Sequence, residues 1–211
     1  DEAQKNREYE NGIMSFWAAR EAAPAALKPW LESIAALNPQ GELTRYPGSA
    51  MLAKRMLRGN DRLVAVERHS GEYGYLQQAL AELAPLMPAP KIKALQDDGL
   101  RLLEDFIPAP ERRALAVIDP SYEMKSDYAE VPKAIIRALK KMPQLCVFLW
   151  YPLLQSGAQR DMLAAFVKSG LRDTLVSEIR LEAAPQEHYR MTGSGILIVN
   201  PPWPDAVMND M

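Results

Sequence analysis

A chain of 211 residues, 48% apolar and 25% charged, has the make-up of an ordinary globular protein with one substantial core. A net charge of −2 gives it no overall basic signature of a nucleic-acid binder. One cysteine excludes an intrachain disulfide framework and, with two histidines, supplies no Cys–His zinc set, so a reducing cytoplasmic setting and no metal are expected. The first 45 residues carry apolar positions at helical spacing over Glu8 to Arg20 and Ala25 to Leu37. Pro24 and Pro29 interrupt the joins, and Asn38-Pro39-Gln40-Gly41 is a turn signal. These features predict a small helical unit with no evident chemistry of its own.

From Tyr46 onward the pattern alternates. Tyr46-Pro47-Gly48-Ser49 predicts a tight turn into a helix from Ala50 to Leu57, and Asn60-Asp61 predicts a second turn. A strand Leu63 to Val66 ends at Glu67, a helix runs from Tyr73 to Leu83, and Pro85, Pro88 and Pro90 mark a loop. A short strand Ile92 to Leu95 ends at Asp97-Asp98-Gly99, and a helix covers Leu100 to Phe106. The apolar run Ala114 to Ile118 has no helical period, which suits a buried parallel strand. Asp127 with Glu130 reads as a capping box opening a helix from Tyr128 to Lys141. A strand Leu145 to Trp150, a helix Ala158 to Lys168, and strands Leu175 to Leu181 and Ile196 to Val199 complete the series. The longest apolar stretch, Leu145 to Leu154, is too short to span a bilayer and contains Pro152, so no membrane partner is expected. Nothing at the start reads as a signal peptide. Strands alternating with helices at this interval predict a doubly wound α/β sheet whose last two strands form an antiparallel pair.

The chemistry is expected at Asp119-Pro120-Ser121-Tyr122, where the Ala114 to Ile118 strand stops. In open α/β sheets ligands bind at the carboxyl ends of the strands. The tetrapeptide resembles the Asp/Asn-Pro-Pro-aromatic signature of methyltransferases that modify exocyclic amines of nucleic-acid bases. The residue types suit that chemistry. The N6 amine of adenine is a poor nucleophile because its lone pair is delocalised into the ring. Asp119 and the carbonyl of Pro120 can accept its two N–H bonds and localise that pair, while Tyr122 can stack on a base swung out of its helix. Ser121 stands where the signature has a second proline.

Further stations precede this one in chain order: Ser49, Glu67, and Asp98 with Gly99. Together with Arg45-Tyr46-Pro47-Gly48-Ser49, Glu67-Arg68-His69, Leu149-Trp150-Tyr151-Pro152, Met191-Thr192-Gly193-Ser194-Gly195 and Asn200-Pro201-Pro202-Trp203, they resemble the RlmJ family. These are bacterial methyltransferases that make N6-methyladenosine in large-subunit (23S) ribosomal RNA. The resemblance runs from about residue 5 to about residue 204. It implies a Rossmann-like, class I S-adenosylmethionine-dependent fold, with residues 1–45 as a helical inserted subdomain and 46–211 as the core. It also implies that Ser49 contacts S-adenosylmethionine, that Glu67 takes the ribose hydroxyls, and that Asp98 with Gly99 holds the adenine end. Asp119 becomes the catalytic acceptor, with Pro120 and Tyr122 beside it, and free 23S ribosomal RNA the substrate, while a compact chain of modest charge suggests a monomer. The family's histidine-containing segment, first strand and Gly-rich loop have no match in residues 1–45, so the chain is expected to begin after them. A non-enzymatic nucleic-acid-binding protein on a methyltransferase scaffold, with a role in the use of external DNA, is the alternative.

Other motifs have plainer readings. Asn200-Pro201-Pro202-Trp203 matches the amine signature more literally but comes after the last strand, so it reads as a strand-ending turn. His69 and His188 have no Gly-x-Ser-x-Gly elbow to serve. Trp150-Tyr151-Pro152 either borders a base pocket or closes the sheet. Thr192-Gly193-Ser194-Gly195 suits a β-turn as well as a phosphate contact. The clusters Lys54, Arg55, Arg58, Arg62, Arg68 and Arg137, Lys140, Lys141 fit solvated faces and helix C-termini.

Overall fold

A computed structural model of the protein describes residues 10–82, 90–180 and 191–202. Glu8, Leu83, Pro85, Pro88, Leu181, His188 and Trp203, which figure in the sequence reading, lie outside the described residues. The chain divides into two compact units, Asp1–Asp97 and Asp98–Met211.

The first unit opens with short turns. A π-type turn Glu10–Met14 leads into α1 (Ser15–Ala18), single 3₁₀ turns stand at Arg20–Ala22 and Ala25–Leu27, and α2 runs over Lys28–Ala35. The sequence pattern predicts two longer helices here. Gly12 leaves helical geometry (φ −99°, ψ −106°), and Pro24 and Pro29 cannot donate into a preceding turn, so the pieces stay short. Asn38 fastens the end of α2 to the segment at Thr44 and Arg45. Its amide donates to the carbonyls of Ile34 (2.9 Å) and Arg45 (2.7 Å), and its oxygen accepts from the backbone of Thr44 (2.8 Å) and Arg45 (2.9 Å). Every bonding position of that buried side chain is used. Beyond it come α3 (Ser49–Met56), β1 (Arg62–Glu67), α4 (Ser70–Glu82) and β2 (Lys91–Gln96). β1 and β2 pair in parallel from Arg62↔Lys91 to Glu67↔Gln96. The buried Lys54 donates its ammonium to the carbonyl of Leu80, joining α3 to α4.

The second unit holds α5 (Gly99–Phe106), β3 (Leu115–Ile118), α6 (Asp127–Lys141), β4 (Cys146–Leu154), α7 (Ala158–Lys168), β5 (Thr174–Arg180) and β6 (Met191–Val199). Its sheet has the order β3-β4-β6-β5, with β3 and β4 parallel and β6 antiparallel to both neighbours. The expected final antiparallel pair is therefore present, and the described strands form two ladders, β1-β2 and this one. Alternate residues Val147, Leu149, Tyr151 and Leu153 of β4 are buried with Leu197 and Val199 of β6. They pack against Val131, Ile135, Ala138 and Leu139 of α6 and against Met162 and Phe166 of α7. Their periods of 2 and 3.6 are what a sheet face and a helix stripe require. Leu115 and Val117 of β3 and Ile196 of β6 lie exposed.

Two strands run longer than the sequence pattern predicts. β4 continues through Pro152 to Leu154, and β6 begins at Met191, so Thr192-Gly193-Ser194-Gly195 is strand rather than turn. The reason is a row across three strands, Tyr151↔Gly195↔Glu178. Tyr151 lays its buried ring over Gly195 and donates its hydroxyl to Glu178 Oε1 (3.2 Å). A Cβ on residue 195 would sit inside that ring, and a Cβ on residue 193 would strike the carbonyl of Ile179. The glycines serve close packing of an aromatic ring and of a neighbouring backbone. Gly195→Ala is expected to destabilise the protein by about 1–3 kcal/mol through overpacking, read as a lower urea midpoint at unchanged slope.

Candidate active site

β3 delivers Asp119 at its carboxyl end, and Pro120 ends the ladder because it has no N–H to donate. The chain then turns sharply. Tyr122 sits at φ +54°, a left-handed conformation that costs a bulky residue about 1–3 kcal/mol and persists only where its surroundings enforce it. They do so in three ways. The Tyr122 hydroxyl donates to the carbonyl of Trp150 (2.9 Å), it lies 3.7 Å from the sulfur of Met162, and its ring packs on Tyr128 at 4.7 Å between centroids. The loop carrying Asp119 is thereby tied to the central strand β4 and to α7.

Asp119 presents accessible surface, yet desolvation by the atoms around the strand end holds its carboxyl above the usual carboxylate range. Its carboxylate meets no protein donor among the described residues. Such a group is an acceptor kept ready at the cost of some solvation. Burial raises the Tyr122 phenol far above its ordinary value, with the Tyr128 hydroxyl and the Asp119 and Asp127 carboxylates adding to the effect, so it is a fixed donor at all working pH.

The other expected stations divide between the two units. In the first, Ser49 is the exposed opening residue of α3, whose N-cap is Gly48 without a side-chain bond. Glu67 closes β1, and its Oε1 accepts from the backbone N–H of His69 (2.8 Å), so the carboxylate is held at the strand's carboxyl end. In the second, Asp98 caps α5, its Oδ1 accepting from the N–H groups of Leu100 (2.9 Å) and Arg101 (3.2 Å), and Gly99 is the exposed first residue of that helix.

Tyr122 as a residue is 8% exposed and belongs to the core cluster, so in this conformation its ring faces inward. Asp127 is not the N-cap of α6: Ser126 holds that position with no side-chain cap bond, and Glu130 pairs with Lys133 (2.8 Å). Trp150 and Tyr151 lie inside β4, where Trp150 supplies a carbonyl to the loop and Tyr151 packs the opposite face. Asn200, by contrast, is structural as expected. At φ +51° its amide donates to the carbonyls of Pro143 (2.7 Å) and Leu145 (2.8 Å), at the end of β4 away from Asp119. Sequence reasoning missed Tyr128 and Met162 as partners of the loop, since neither stands in a motif and only packing brings them there.

Because the folded Asp119 binds its proton more tightly than the unfolded chain does, its contribution to stability is greatest below the ordinary carboxylate pKa. It is lost as pH rises through the raised one. Asp119→Ala is therefore expected to unfold at the same or a higher temperature than wild type at pH 7. The comparison should shift in favour of wild type as the pH is lowered through that window, as thermal melts in a pH series would read.

Known proteins are similar to this chain over nearly all of its length. The family model described as "Ribosomal RNA large subunit methyltransferase D, RlmJ" matches residues 1–210. Ribosomal RNA large subunit methyltransferase J of Escherichia coli is 31% identical over 204 residues, covering 96% of this chain and 70% of that protein. The protein of the same name from Haemophilus influenzae is 31% identical over 205 residues with the same shares. A Legionella pneumophila protein solved by crystallography superposes with a TM-score of 0.85 at 32% identity, over 95% of this chain and 73% of that one. With residues 1–210 matched by the family model and two relatives 31% identical over 96% of its length, the chain belongs to the RlmJ family of ribosomal RNA large subunit methyltransferases.

Proposed function

We propose that the protein uses S-adenosylmethionine to make N6-methyladenosine in large-subunit (23S) ribosomal RNA, acting on free RNA whose target base can leave its stack. The observation that carries the reading is the Asp119 loop: an unpartnered, partly desolvated carboxylate beside a proline carbonyl at a strand's carboxyl end, in a chain of this family.

Each unit, taken by itself, carries groups of the kind the cofactor needs. On the first unit, the Glu67 carboxylate is fixed at the end of β1 with one oxygen on the His69 N–H, the acceptor type a ribose hydroxyl needs, and Ser49 offers a hydroxyl at the start of α3. On the second, the Asp98-Gly99 turn combines a carboxylate with an exposed backbone that lacks a side chain, which suits the approach of a planar adenine. S-adenosylmethionine, when bound, supplies a methyl group activated by its sulfonium charge.

The chain's own part is positioning. Asp119 and the Pro120 carbonyl accept the two N–H bonds of the target amine, which localises its lone pair and aims it, and Asp119 is at hand to receive the proton the nitrogen sheds. Stacking of Tyr122 on the base asks its ring to leave Tyr128 and turn outward, so base entry is coupled to the first turn of α6. Because the Asp119 pKa is raised, activity should fall on acidification before an ordinary carboxylate would titrate.

The test is transfer of tritiated methyl groups to ribosomal RNA lacking the modification. Asp119→Ala is expected to lower the rate at least about 100-fold at unchanged fold. Equal labelling by wild type and variant would remove Asp119 from the mechanism, and no binding of S-adenosylhomocysteine by the protein in calorimetry would favour the non-enzymatic alternative.

A further inference from the structure

One polar group in the second unit stands unexplained by the fold. The hydroxyl of Tyr128 is buried and has no hydrogen-bond partner among the described residues, and the residue as a whole is only 8% exposed. Leaving a donor of that kind unpaired costs its desolvation without return, and folded proteins carry few such groups. A hydroxyl with no structural task would be absent at no loss, since phenylalanine packs in the same space. The group also lies at a telling place. Its ring is stacked under Tyr122, 4.7 Å away and tilted by 36°, and Tyr122 belongs to the loop that carries Asp119.

The helical turn that holds Tyr128 is fastened through its backbone, Ala129 and Glu130 each donating to the carbonyl of Ser126 (both 2.9 Å). The N-cap of α6, Ser126, makes no side-chain bond. Four residues on, Pro132 has no N–H, so the carbonyl of Tyr128 lacks the rung that would normally lock it into the helix. Tyr122, in contrast, is held in a strained left-handed conformation by its bond to Trp150. When that ring swings out to meet a base, the Tyr128 hydroxyl loses its cover at the moment an acceptor arrives. A purine brings such acceptors in its ring nitrogens, adjacent to the amine that Asp119 would hold.

We propose that Tyr128 is a substrate-contacting residue, whose hydroxyl donates to a ring nitrogen of the target purine once Tyr122 has turned to stack on that base. The inference rests on the function proposed above and names a further recognition group for the same site. The unpaired hydroxyl is then a cost carried by the free protein and recovered in the complex with RNA.

Tyr128→Phe tests it, with thermal melts, calorimetry with S-adenosylhomocysteine and steady-state methyl transfer to unmodified ribosomal RNA. The variant should melt at the same or a higher temperature, because a buried unpaired donor is removed. Its affinity for S-adenosylhomocysteine should be unchanged. Its kcat/KM for RNA should fall about 3- to 10-fold, the worth of one neutral hydrogen bond. A lower melting temperature would show that the hydroxyl already has a partner in the free protein, and would overturn the proposal. So would an unchanged kcat/KM, or a loss that appears equally in S-adenosylhomocysteine binding. Tyr128→Leu, which removes ring and hydroxyl together, should lose stability as well as activity, and equal activity of the Phe and wild-type proteins beside that loss would assign the residue to packing alone. If wild type itself transfers no methyl to ribosomal RNA, the function proposed above fails and this contact fails with it. If wild type transfers normally and Tyr128→Phe does too, the contact alone fails.

Discussion

The hydrogen bond from the Tyr122 hydroxyl to the Trp150 carbonyl is the constraint on which the candidate site depends. It holds a bulky residue in left-handed backbone space, and that conformation is what turns the chain after Pro120 and leaves Asp119 at the strand end. In the free protein the bond and the packing of Tyr122 on Tyr128 oppose relaxation of the loop toward ordinary φ values. Strain of this kind is tolerated where the surrounding core over-determines it, and here the core is the buried face of β4 with α6 and α7.

β4 is able to act as that anchor because of what lies on its other edge. It pairs with β3 on one side and with β6 on the other, and the β6 ladder is kept close by the Tyr151, Gly195, Glu178 row. The carbonyl offered to Tyr122 comes from Trp150, one residue before the tyrosine that locks the sheet. Loop geometry and sheet packing are thus joined through two consecutive residues of one strand. The Asn200 amide closes the opposite end of the same strand by binding the carbonyls of Pro143 and Leu145. The leading asparagine of a motif that resembles the amine signature more literally than the Asp119 loop does is in this way committed to backbone carbonyls.

The two acidic stations ahead of Asp119 carry a similar lesson in reverse. Glu67 and Asp98 both use a carboxylate oxygen for local backbone N–H groups, as an ordinary strand end or helix cap would. Local satisfaction does not remove them from cofactor binding, since a carboxylate oriented by its own turn is better placed to receive a ligand hydroxyl than one free to rotate. Asp119 differs because no such local donor holds it, and desolvation by burial raises its pKa.

Much of this was legible in the residues. Short apolar runs stopped by Asp, Glu or Pro located the strands and their ligand-facing ends, since period and turn chemistry are local properties, and the ordered motifs carried the family. The positions of Ser49, Glu67, Asp98, Gly99, Asp119 and Pro120 at element ends obey the same local rules. What the residues did not disclose depends on contacts between distant segments. The inward-facing ring of Tyr122 requires Trp150 and Met162, 28 and 40 residues away. The extension of β6 through Gly193 and Gly195 requires the ring of Tyr151 and the carbonyl of Ile179. The unpaired hydroxyl of Tyr128 is visible only when every neighbour is in place. The sequence by itself determined the order of strands and helices, the family, and which polar residues stand at element ends. Tertiary packing alone decided which of them face solvent, which are locked in the core and which are left without a partner, because burial and hydrogen-bond satisfaction are set by residues far apart in the chain.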